Sequence, residues 1–492
     1  MAFFSIVIPT ANRARWIEYG LKSLKSQTFK DFEVIVSDNG DDNTKEIFDK
    51  YADERFKYIK CPKKGLTANW KFAFPYANGK YVGYIQNKMF FYSDALEKTY
   101  NYINESNLPE TIVYYSDLYE LDDNTEEARN TSGILNFQEP ILTGWKYVDS
   151  MTTLLDRMSW KDYTMSTKRA VGNGCIIIGF LHSGLIERVQ KKYGEFFDCI
   201  FPDFGGAILP LYESKKNIEI TEHLSVYISL DETTGARMTQ YHSKLKEFIK
   251  LSGKEHIMQY ATVPNYCVSN TNVATADYNY LMSKIPELKN LKCNRLNALI
   301  ATAIEKQRLR EDVTPEEEAL FINAVNDLSE SEKVYYNFLS KSYPREEENL
   351  NYIKECSSPD EVIERPLDKD RKNDVLPDLL NFCKKHKEIY CYGAGHWGEV
   401  VYRCLKMLGI KVSGFIITGR PQEAFVDGVR VYSIEEIDVD TGDKGIILSL
   451  DKIWHGEIVD ILEKRGLPKD NVHRILSFRT IRMLIDRYIQ KI

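Results

Sequence analysis

Three apolar segments near the N-terminus, each long enough for a strand, end in polar residues whose side chains could bind a ligand. These residues are Pro9 and Thr10, then Asp38 and Asn39, then Gln86, Asn87 and Lys88. A carboxylate such as that of Asp38 can accept hydrogen bonds from ring N–H groups, although Asp followed by Asn is also typical of a simple Asx-turn. Because parallel sheets bind ligands at the carboxyl ends of their strands, these loops predict one binding site.

A second motif that could bind a ligand lies in the C-terminal part of the chain. Gly393, Gly395 and Gly398 form a G-x-G-x-x-G pattern between a predicted strand and a predicted helix. In that context the loop could bind a phosphate group. The acidic residue that a dinucleotide site needs about 20 residues later is absent, which argues against an NAD-dependent enzyme. The alternative is that the glycines permit tight packing of the helix on the strand, in a domain that serves assembly.

The elements that must position these residues alternate along most of the chain. Apolar runs and helical periodicity follow each other in residues 1–240, which predicts an α/β fold with a parallel sheet. The apolar run 175–180 is one of the predicted strands. Strand signals fade in residues 241–372, where charge-rich helical patterns and a polar linker dominate. Alternation returns in residues 373–492. We therefore predict an N-terminal α/β domain, a helical middle region, and a small C-terminal Rossmann-like α/β domain.

Composition excludes several classes of protein. The 492 residues carry a net charge of −7, so a global basic surface for nucleic acid is not expected. No apolar run approaches the roughly 20 residues that span a bilayer, and the start of the chain lacks the pattern of a signal peptide. The nine scattered cysteines form no C-x-x-C, which argues against a disulfide framework and a zinc site. These features predict a cytoplasmic protein with reduced thiols.

Several motifs in the first 100 residues occur in an order that resembles the start of family 2 inverting glycosyltransferases. They are Phe4–Arg13, Asp31–Thr44, Gly65-Leu66 with Asn69-Trp70, and Ala77–Val82. The resemblance is expected to extend to about residue 240. It implies the GT-A fold, in which a nucleotide-binding α/β sheet carries an acceptor-binding part.

The resemblance also implies that these loops bind a nucleotide-sugar donor, with the carboxylate of Asp38 on the base. The expected donor-binding residues are Pro9, Thr10, Asn12, Arg13, Asp38, Asn39, Asn69, Gln86 and Asn87. For Arg13, contact with phosphate and a solvated helix surface are both open. The Q-x-x-R-W motif of processive family members is absent, which favours one sugar added per visit.

The chain departs from the family after the fourth strand. Most GT-A enzymes place a D-x-D run there, whose carboxylates hold a divalent cation at the pyrophosphate, whereas this chain has Gln86, Asn87 and Lys88. Neutral amides are weak ligands for Mg²⁺ or Mn²⁺. Three explanations stay open: Lys88 supplies the positive charge itself, the diphosphate holds a metal with few protein ligands, or the fold has lost its activity. No metal ligand is predicted, and metal dependence is left open.

A general base must also deprotonate the acceptor hydroxyl. In the family this base is an acidic residue about 100 residues after the D-x-D position, which corresponds to Asp203 in this chain; its alternative role is a helix N-cap. The resemblance makes the segment 169–174 a candidate for sugar contacts. His223 and Arg237 lie where some relatives place a phosphate or metal ligand, but ordinary structural roles are favoured for both.

We therefore predict an inverting glycosyltransferase that moves a sugar from a nucleotide donor to a glycan or lipid-linked glycan. By resemblance the product would be a surface polysaccharide such as capsule or lipopolysaccharide. Peripheral association with the inner face of the membrane and self-association stay open. The rivals are an enzyme that transfers a non-sugar group onto a capsule sugar, and a degenerate GT-A scaffold without activity.

Overall fold

The chain forms two compact units in a computed structural model. It describes residues 1–121, 131, 133–137, 144–160, 174–229, 234–340, 352–356, 358–363, 375–407, 409–421, 424–438, 443–450 and 454–474. The first unit comprises residues 1–137, 144–347 and 353–367, and the second comprises 138–143, 348–352 and 368–492. In the described residues no helix is both long and apolar enough to cross a bilayer.

The first unit is built around a mixed β-sheet. Its strands are β1 (Phe4–Thr10), β2 (Phe32–Asp38), β3 (Phe56–Lys60), β4 (Tyr81–Tyr84), β5 (Met89–Phe91), β6 (Thr111–Leu121), β7 (Gly133–Phe137), β8 (Trp145–Val148), β9 (Gly179–His182), β10 (Asn217–Ser229) and β11 (Tyr352–Cys356). The order β7-β6-β9-β4-β1-β2-β3 runs across the sheet, and β10 pairs with β5, β6 and β8. Strands β4, β1, β2 and β3 are mutually parallel, so the loops that follow them meet at one edge.

Helices cover both faces of this sheet and form a layer beyond it. They are α1 (Ala14–Lys25), α2 (Thr44–Tyr51), α3 (Leu66–Ala73), α4 (Ala95–Glu105), α5 (Ser150–Ser159), α6 (Ser183–Tyr193), α7 (Ile208–Glu213), α8 (Thr234–Gln240), α9 (His242–Ser252), α10 (Asn270–Ser283), α11 (Arg295–Lys306), α12 (Pro315–Asn326), α13 (Glu330–Leu339) and α14 (Asp360–Ile363). Alternate residues of β1 enter opposite cores: Val7 packs in one cluster, and Ile6 and Ile8 in another. A strand buried on both faces explains the continuous apolar run in the sequence.

The region 241–372 was predicted to be helical, and its described residues from 242 to 339 contain helices α9 to α13. The prediction is wrong at residues 352–356, which form β11 and pair with β7 at the edge of the sheet. Residues 242–339 belong to the same compact unit as the sheet. Helix α10 lies at its centre, because all its residues except Tyr280 and Ser283 are buried. A helix that is buried on every side must satisfy its polar side chains within the protein. This helix therefore connects the helical layer to the rest of the unit through buried polar contacts.

One predicted strand is wrong in most of its length. The apolar run 175–180 was expected to be extended, but β9 begins only at Gly179, and the preceding residues form turns. Cys175, Ile176 and Ile177 are nevertheless buried in the main core cluster. Apolarity reports burial here and not extended backbone, since a short apolar run cannot distinguish a strand from a buried turn.

The second unit is α/β, as the sequence predicts for its C-terminal part. Its elements are α15 (Val375–Lys385), β12 (Glu388–Tyr392), α16 (His396–Met407), β13 (Val412–Ile417), β14 (Phe425–Val426), β15 (Val429–Ser433), β16 (Lys444–Leu448), α17 (His455–Lys464) and β17 (Val472–Arg474). Strands β15, β13, β12, β16 and β17 form a parallel sheet in that order, and β14 pairs antiparallel with β15.

The glycine motif lies between β12 and α16 and is crowded. A Cβ atom on Gly398 would lie 2.0 Å from the carbonyl oxygen of Gly393, and Gly393 itself has φ of +112°. Both positions therefore need glycine for close packing of helix on strand. A Cβ atom on Gly395 would meet open space. Phosphate binding by this loop stays a prediction.

An ionic cluster around Asp198 ties the helical layer to the loop before residue 200. Its carboxylate accepts hydrogen bonds from Lys254 and Lys284, and from the hydroxyl of Tyr280 at 2.8 Å. Burial would raise the pKa of Asp198, but the bonds from Lys254 and Lys284 outweigh it and hold the pKa below its usual value. The charged form of Asp198 is therefore the stabilising one.

We predict that Asp198→Asn lowers the free energy of unfolding at pH 7 by about 2–3 kcal/mol, the usual range for hydrogen bonds to a charged group. Because a lowered pKa contributes its full stability only above the unfolded pKa, the gap between wild type and variant should begin to narrow below about pH 4 and narrow further as the pH falls toward the lower pKa of the folded state. Urea unfolding across pH measures this gap. Asp49→Asn is the control: it breaks the exposed pair with Lys45, which should cost under about 1 kcal/mol. A gap that is constant with pH would contradict the role of the charge.

Candidate active site

A cavity of about 630 Å³ opens in the first unit at the carboxyl ends of β1, β2 and β4. The rest of its wall includes residues of α8, α9, α10 and α11, and Arg308, which lies two residues after α11. The charged, hydroxyl and amide side chains in its wall are Thr10, Arg13, Asn39, Asn69, Gln86, Asn87, Lys88, Asp203, Tyr227, Thr239, Asn270, Thr271, Glu305 and Arg308. Three are cations and two are carboxylates, so the wall suits an anionic, hydroxyl-rich ligand.

Most of the predicted site residues meet in this cavity. Those in its wall are Pro9, Thr10, Arg13, Asn39, Asn69, Gln86, Asn87, Lys88 and Asp203. They come from segments up to 194 residues apart in the sequence, from Pro9 to Asp203. Asn12 and Asp38 do not line the cavity.

The amide of Asn69 fixes the shape of the donor side. Its Nδ2 donates to the carbonyl oxygens of Thr10 at 3.1 Å and Ser37 at 3.0 Å, and lies 3.2 Å from Oδ1 of Asn39. Its Oδ1 accepts from the hydroxyl of Ser37 at 2.5 Å. One buried side chain on α3 therefore joins the ends of β1 and β2.

The carboxylate of Asp38 is buried and already has several donors. Its Oδ1 accepts from the amide of Gly40 at 2.7 Å, and its Oδ2 from Tyr58 at 2.6 Å and Lys60 at 2.9 Å. Burial, followed by the hydrogen bond to Asp38, raises the pKa of Tyr58. The contact with Gly40 is the Asx-turn that the sequence left open, and base binding by Asp38 stays a prediction.

Asn12 has a local role. It adopts φ of +54°, and its Oδ1 accepts from the amide of Asp41 at 2.7 Å. A Cβ atom on Gly40 would lie 2.3 Å from the amide nitrogen of Asn12. The loops after β1 and β2 are thus packed against each other, and a donor contact of Asn12 itself stays a prediction.

The cationic side of the cavity is organised around Tyr227. The ammonium of Lys88 lies 4.2 Å from the centre of the Tyr227 ring, and Lys88 is only 6% exposed. Burial raises the pKa of Tyr227 to about 12, and the charge of Arg13 opposes this rise. Two positive charges therefore lie close to one phenol in the cavity wall, beside Asn87, whose Nδ2 lies 3.5 Å from the hydroxyl of Thr10. No sequence motif pointed to Tyr227.

Asp203 lies in the cavity wall on a tight turn before α7. Its main-chain oxygen lies 2.7 Å from the thiol of Cys175, which donates to it. Burial raises the pKa of the Asp203 carboxyl to about 6, although its own amide and that of Phe204 lower it. Such a carboxylate is ionised at pH 7 and is a stronger base than an ordinary Asp, which suits proton abstraction.

The helical wall supplies polar groups that the sequence did not predict. Glu305 on α11 accepts from the hydroxyl of Ser269 and from the amides of Asn270 and Thr271, at 2.7–2.9 Å. It therefore satisfies the N-terminus of α10, whose first residues line the cavity. Arg308 follows α11 at the rim. Ser269 is the N-cap of α10, and a serine at such a position identifies a helix start and not a site.

The remaining candidates lie elsewhere. His223 is buried with its Nδ1 2.7 Å from Oδ1 of Asp117 and does not line the cavity, which favours the structural role. Arg237 is exposed and does not line the cavity, although its neighbours on α8 do. In the segment 169–174, residues 169–173 lie outside the described residues.

The comparisons with known proteins agree on the N-terminal part. Over 110 residues the chain is 34% identical to a GalNAc(5)-diNAcBac-PP-undecaprenol beta-1,3-glucosyltransferase of Campylobacter jejuni, which covers 21% of this chain and 36% of that protein. An uncharacterized glycosyltransferase of Rickettsia conorii is 32% identical over 107 residues, or 21% of this chain and 17% of that protein. The chain thus spans well under two thirds of these curated relatives.

Among solved structures, S. aureus TarS 1-349 in complex with UDP-GlcNAc superposes with a TM-score of 0.38 and 15% identity, over 66% of this chain and 80% of that one. The family model described as Glycosyl transferase family 2 matches residues 5–153, which contain β1, β2, β4 and the Gln86–Lys88 loop. Over residues 5–153 this chain is therefore similar to the family 2 glycosyltransferases.

Proposed function

We propose that this protein transfers a sugar, with inversion, from a nucleotide-sugar donor to a glycan or lipid-linked glycan acceptor. The observation that carries the proposal is that Lys88 and Asp203 line the same cavity as the loops after β1 and β2. One group suits a departing diphosphate and the other suits a reacting hydroxyl. The relatives with a printed activity transfer sugars, which favours a sugar over a non-sugar group.

The cavity does not fit the divalent cation that most GT-A enzymes use. Gln86 and Asn87 offer only neutral oxygens, and the ammonium of Lys88 lies beside them. Of the two carboxylates in the wall, that of Glu305 already accepts from the N-terminus of α10. No cluster of three metal-ligating side chains occurs in the described residues. We therefore propose that Lys88 and Arg13, and not a metal ion, supply the positive charge that stabilises the diphosphate.

The proposed reaction is a single in-line displacement. Asp203 takes the proton of an acceptor hydroxyl, whose oxygen forms a bond to the anomeric carbon as the bond to the diphosphate oxygen breaks. The negative charge that develops on the diphosphate is stabilised by the positive charges of Lys88 and Arg13. Attack from the face opposite the leaving group inverts the anomeric centre. The proton remains on Asp203 until the product leaves.

The names of two relatives indicate the class of acceptor. The Campylobacter jejuni relative acts, by its name, on an undecaprenol-linked glycan, and a 96-residue segment of this chain is 32% identical to the chondroitin synthase of Pasteurella multocida. We therefore place the reaction in bacterial surface polysaccharide synthesis. Asn270, Thr271 and Arg308 line the same cavity as the loops after β1 and β2, and we assign them to the acceptor.

We predict that Asp203→Asn lowers kcat by about 10²–10⁴-fold, the range for loss of a general base, while donor affinity is unchanged. Because the pKa of Asp203 is raised to about 6, wild-type kcat/KM should fall as pH drops below about 6, where the base becomes protonated. Release of nucleoside diphosphate from the donor, measured from pH 5 to 9, tests both. The variant should lose this dependence; wild-type activity in the variant would contradict the role of Asp203.

We predict that Lys88→Met lowers kcat by about 10²–10³-fold, as does loss of one group that stabilises a developing anion. EDTA should leave wild-type turnover within about twofold, since Lys88 and not a metal neutralises the diphosphate. Lys191→Met is the matched control, because Lys191 is an exposed lysine on α6 away from the cavity. Wild-type turnover that collapses in EDTA and returns with Mn²⁺ would contradict this assignment.

A further inference from the structure

The turn that carries Asp203 is held by a carboxylate from the helical layer. Asp277 on α10 is fully buried, and its two oxygens accept from the main-chain amides of Ile200 and Phe201, each at 2.7 Å. These amides begin the segment that turns at Asp203. Because the two oxygens of one carboxyl group accept from two neighbouring amides, they fix the orientation of this segment as well as its distance from α10.

Further contacts hold the same segment from other sides. The hydroxyl of Thr67 on α3 donates to the carbonyl oxygen of Ile200 at 2.9 Å. A Cβ atom on Gly205 would lie 2.7 Å from Cβ of Cys199 and 3.2 Å from Cβ of Asp277, so α10 packs directly on the far end of the turn. The turn is thus enclosed on both sides of Asp203, and Asp277 contacts it before and after.

A carboxyl group at this buried position is energetically unfavourable in its ionised form. Burial raises the pKa of Asp277 to about 8; the amide bonds from Ile200 and Phe201 lower it, and nearby Asp203 raises it. Among the described residues, the hydrogen bonds to its oxygens come from main-chain amides and not from a Lys, Arg or His. Because the ionised form of a buried carboxyl group without a counter-charge costs stability, a requirement other than stability favours Asp here.

The same helix reaches the cavity. Asn270 and Thr271 begin α10 and line the wall, and Asp277 follows Asn270 by seven residues, or about two turns, which places both on one face. One rigid helix therefore connects the cavity wall with the turn that carries Asp203.

We propose that Asp277 is a positioning residue for the general base: it fixes the turn so that the carboxylate of Asp203 reaches the acceptor hydroxyl. The inference rests on the proposed role of Asp203. It links Asn270 and Thr271 at the cavity wall to the turn that carries Asp203, because Asp277 lies on the same face of α10 as Asn270.

The test is a double-mutant cycle with Asp203→Asn and Asp277→Asn. Nucleoside diphosphate release is measured on the nucleotide sugar that stabilises the full-length protein most. Asp277→Asn keeps the shape but presents an amide NH₂ to one main-chain N–H, which should shift the turn. We expect kcat to fall by about 10–100-fold, the effect of a misplaced catalytic group, with donor KM within about twofold. In the Asp203→Asn background the same change should cost less than about threefold, because groups that act as a unit are non-additive.

The matched control is Asn279→Ala. Asn279 lies two residues further along α10, is also buried, and bonds the main chain at Tyr260 and Cys293 and not the turn. It should lower the melting temperature while kcat of the folded protein stays within about twofold, which separates loss of stability from loss of positioning. If Asp277→Asn does not fold, Thr67→Val removes the bond to Ile200 from the other side and should show the same non-additivity with Asp203→Asn.

Two outcomes would overturn the proposal in different ways. If Asp203→Asn abolishes turnover but Asp277→Asn leaves kcat unchanged, or lowers it equally in both backgrounds, Asp277 is only structural and the proposed function stands. If Asp203→Asn retains wild-type turnover, the base is elsewhere, and the role of Asp277 falls with it.

Discussion

The amide of Asn69 is the constraint on which the cavity depends. A side chain on α3 that donates to the carbonyl oxygens of Thr10 and Ser37, and accepts from the Ser37 hydroxyl, joins the carboxyl ends of two parallel strands at fixed spacing. Because such a buried amide can only be satisfied in this geometry, the loops after β1 and β2 have one arrangement. The Gln86–Lys88 loop and the turn at Asp203 complete the cavity around that fixed edge.

The fold was predictable where the hydrophobic periodicity and the residues that end helices and strands indicated the same elements. Strands β1 and β2 and helix α1 follow from apolar runs and helical spacing with ordinary errors at their ends. The error at residues 175–178 has a physical origin, since burial and not backbone conformation selects apolar residues there. The sequence also could not indicate that the helical region shares a compact unit with the sheet. That depends on long-range contacts of α10, which no local pattern encodes.

The site residues that lie in the loops could be predicted from the sequence, but the residues that hold those loops in place could not. Motif order located Thr10, Lys88 and Asp203, and the structure brings them into one cavity. Motif order did not indicate Tyr227 or Asp277, because an aromatic residue in a strand and an acidic residue in a helix are each common. Only their position in the fold is specific. A family motif identifies groups that touch substrate. The groups that orient them come from elements whose sequences vary with packing.

The central claim is that the cavity binds a nucleotide-diphosphate sugar without a divalent cation. The most direct measurement is thermal unfolding of the full-length protein with a set of nucleotides and nucleotide sugars, each with EDTA and each with Mn²⁺. A ligand at 100 times its Kd stabilises a fold by about 2.7 kcal/mol, which is easily detected. We predict stabilisation by one nucleotide family, equal with EDTA and with Mn²⁺. Stabilisation only with Mn²⁺, or by no nucleotide at all, would contradict the account.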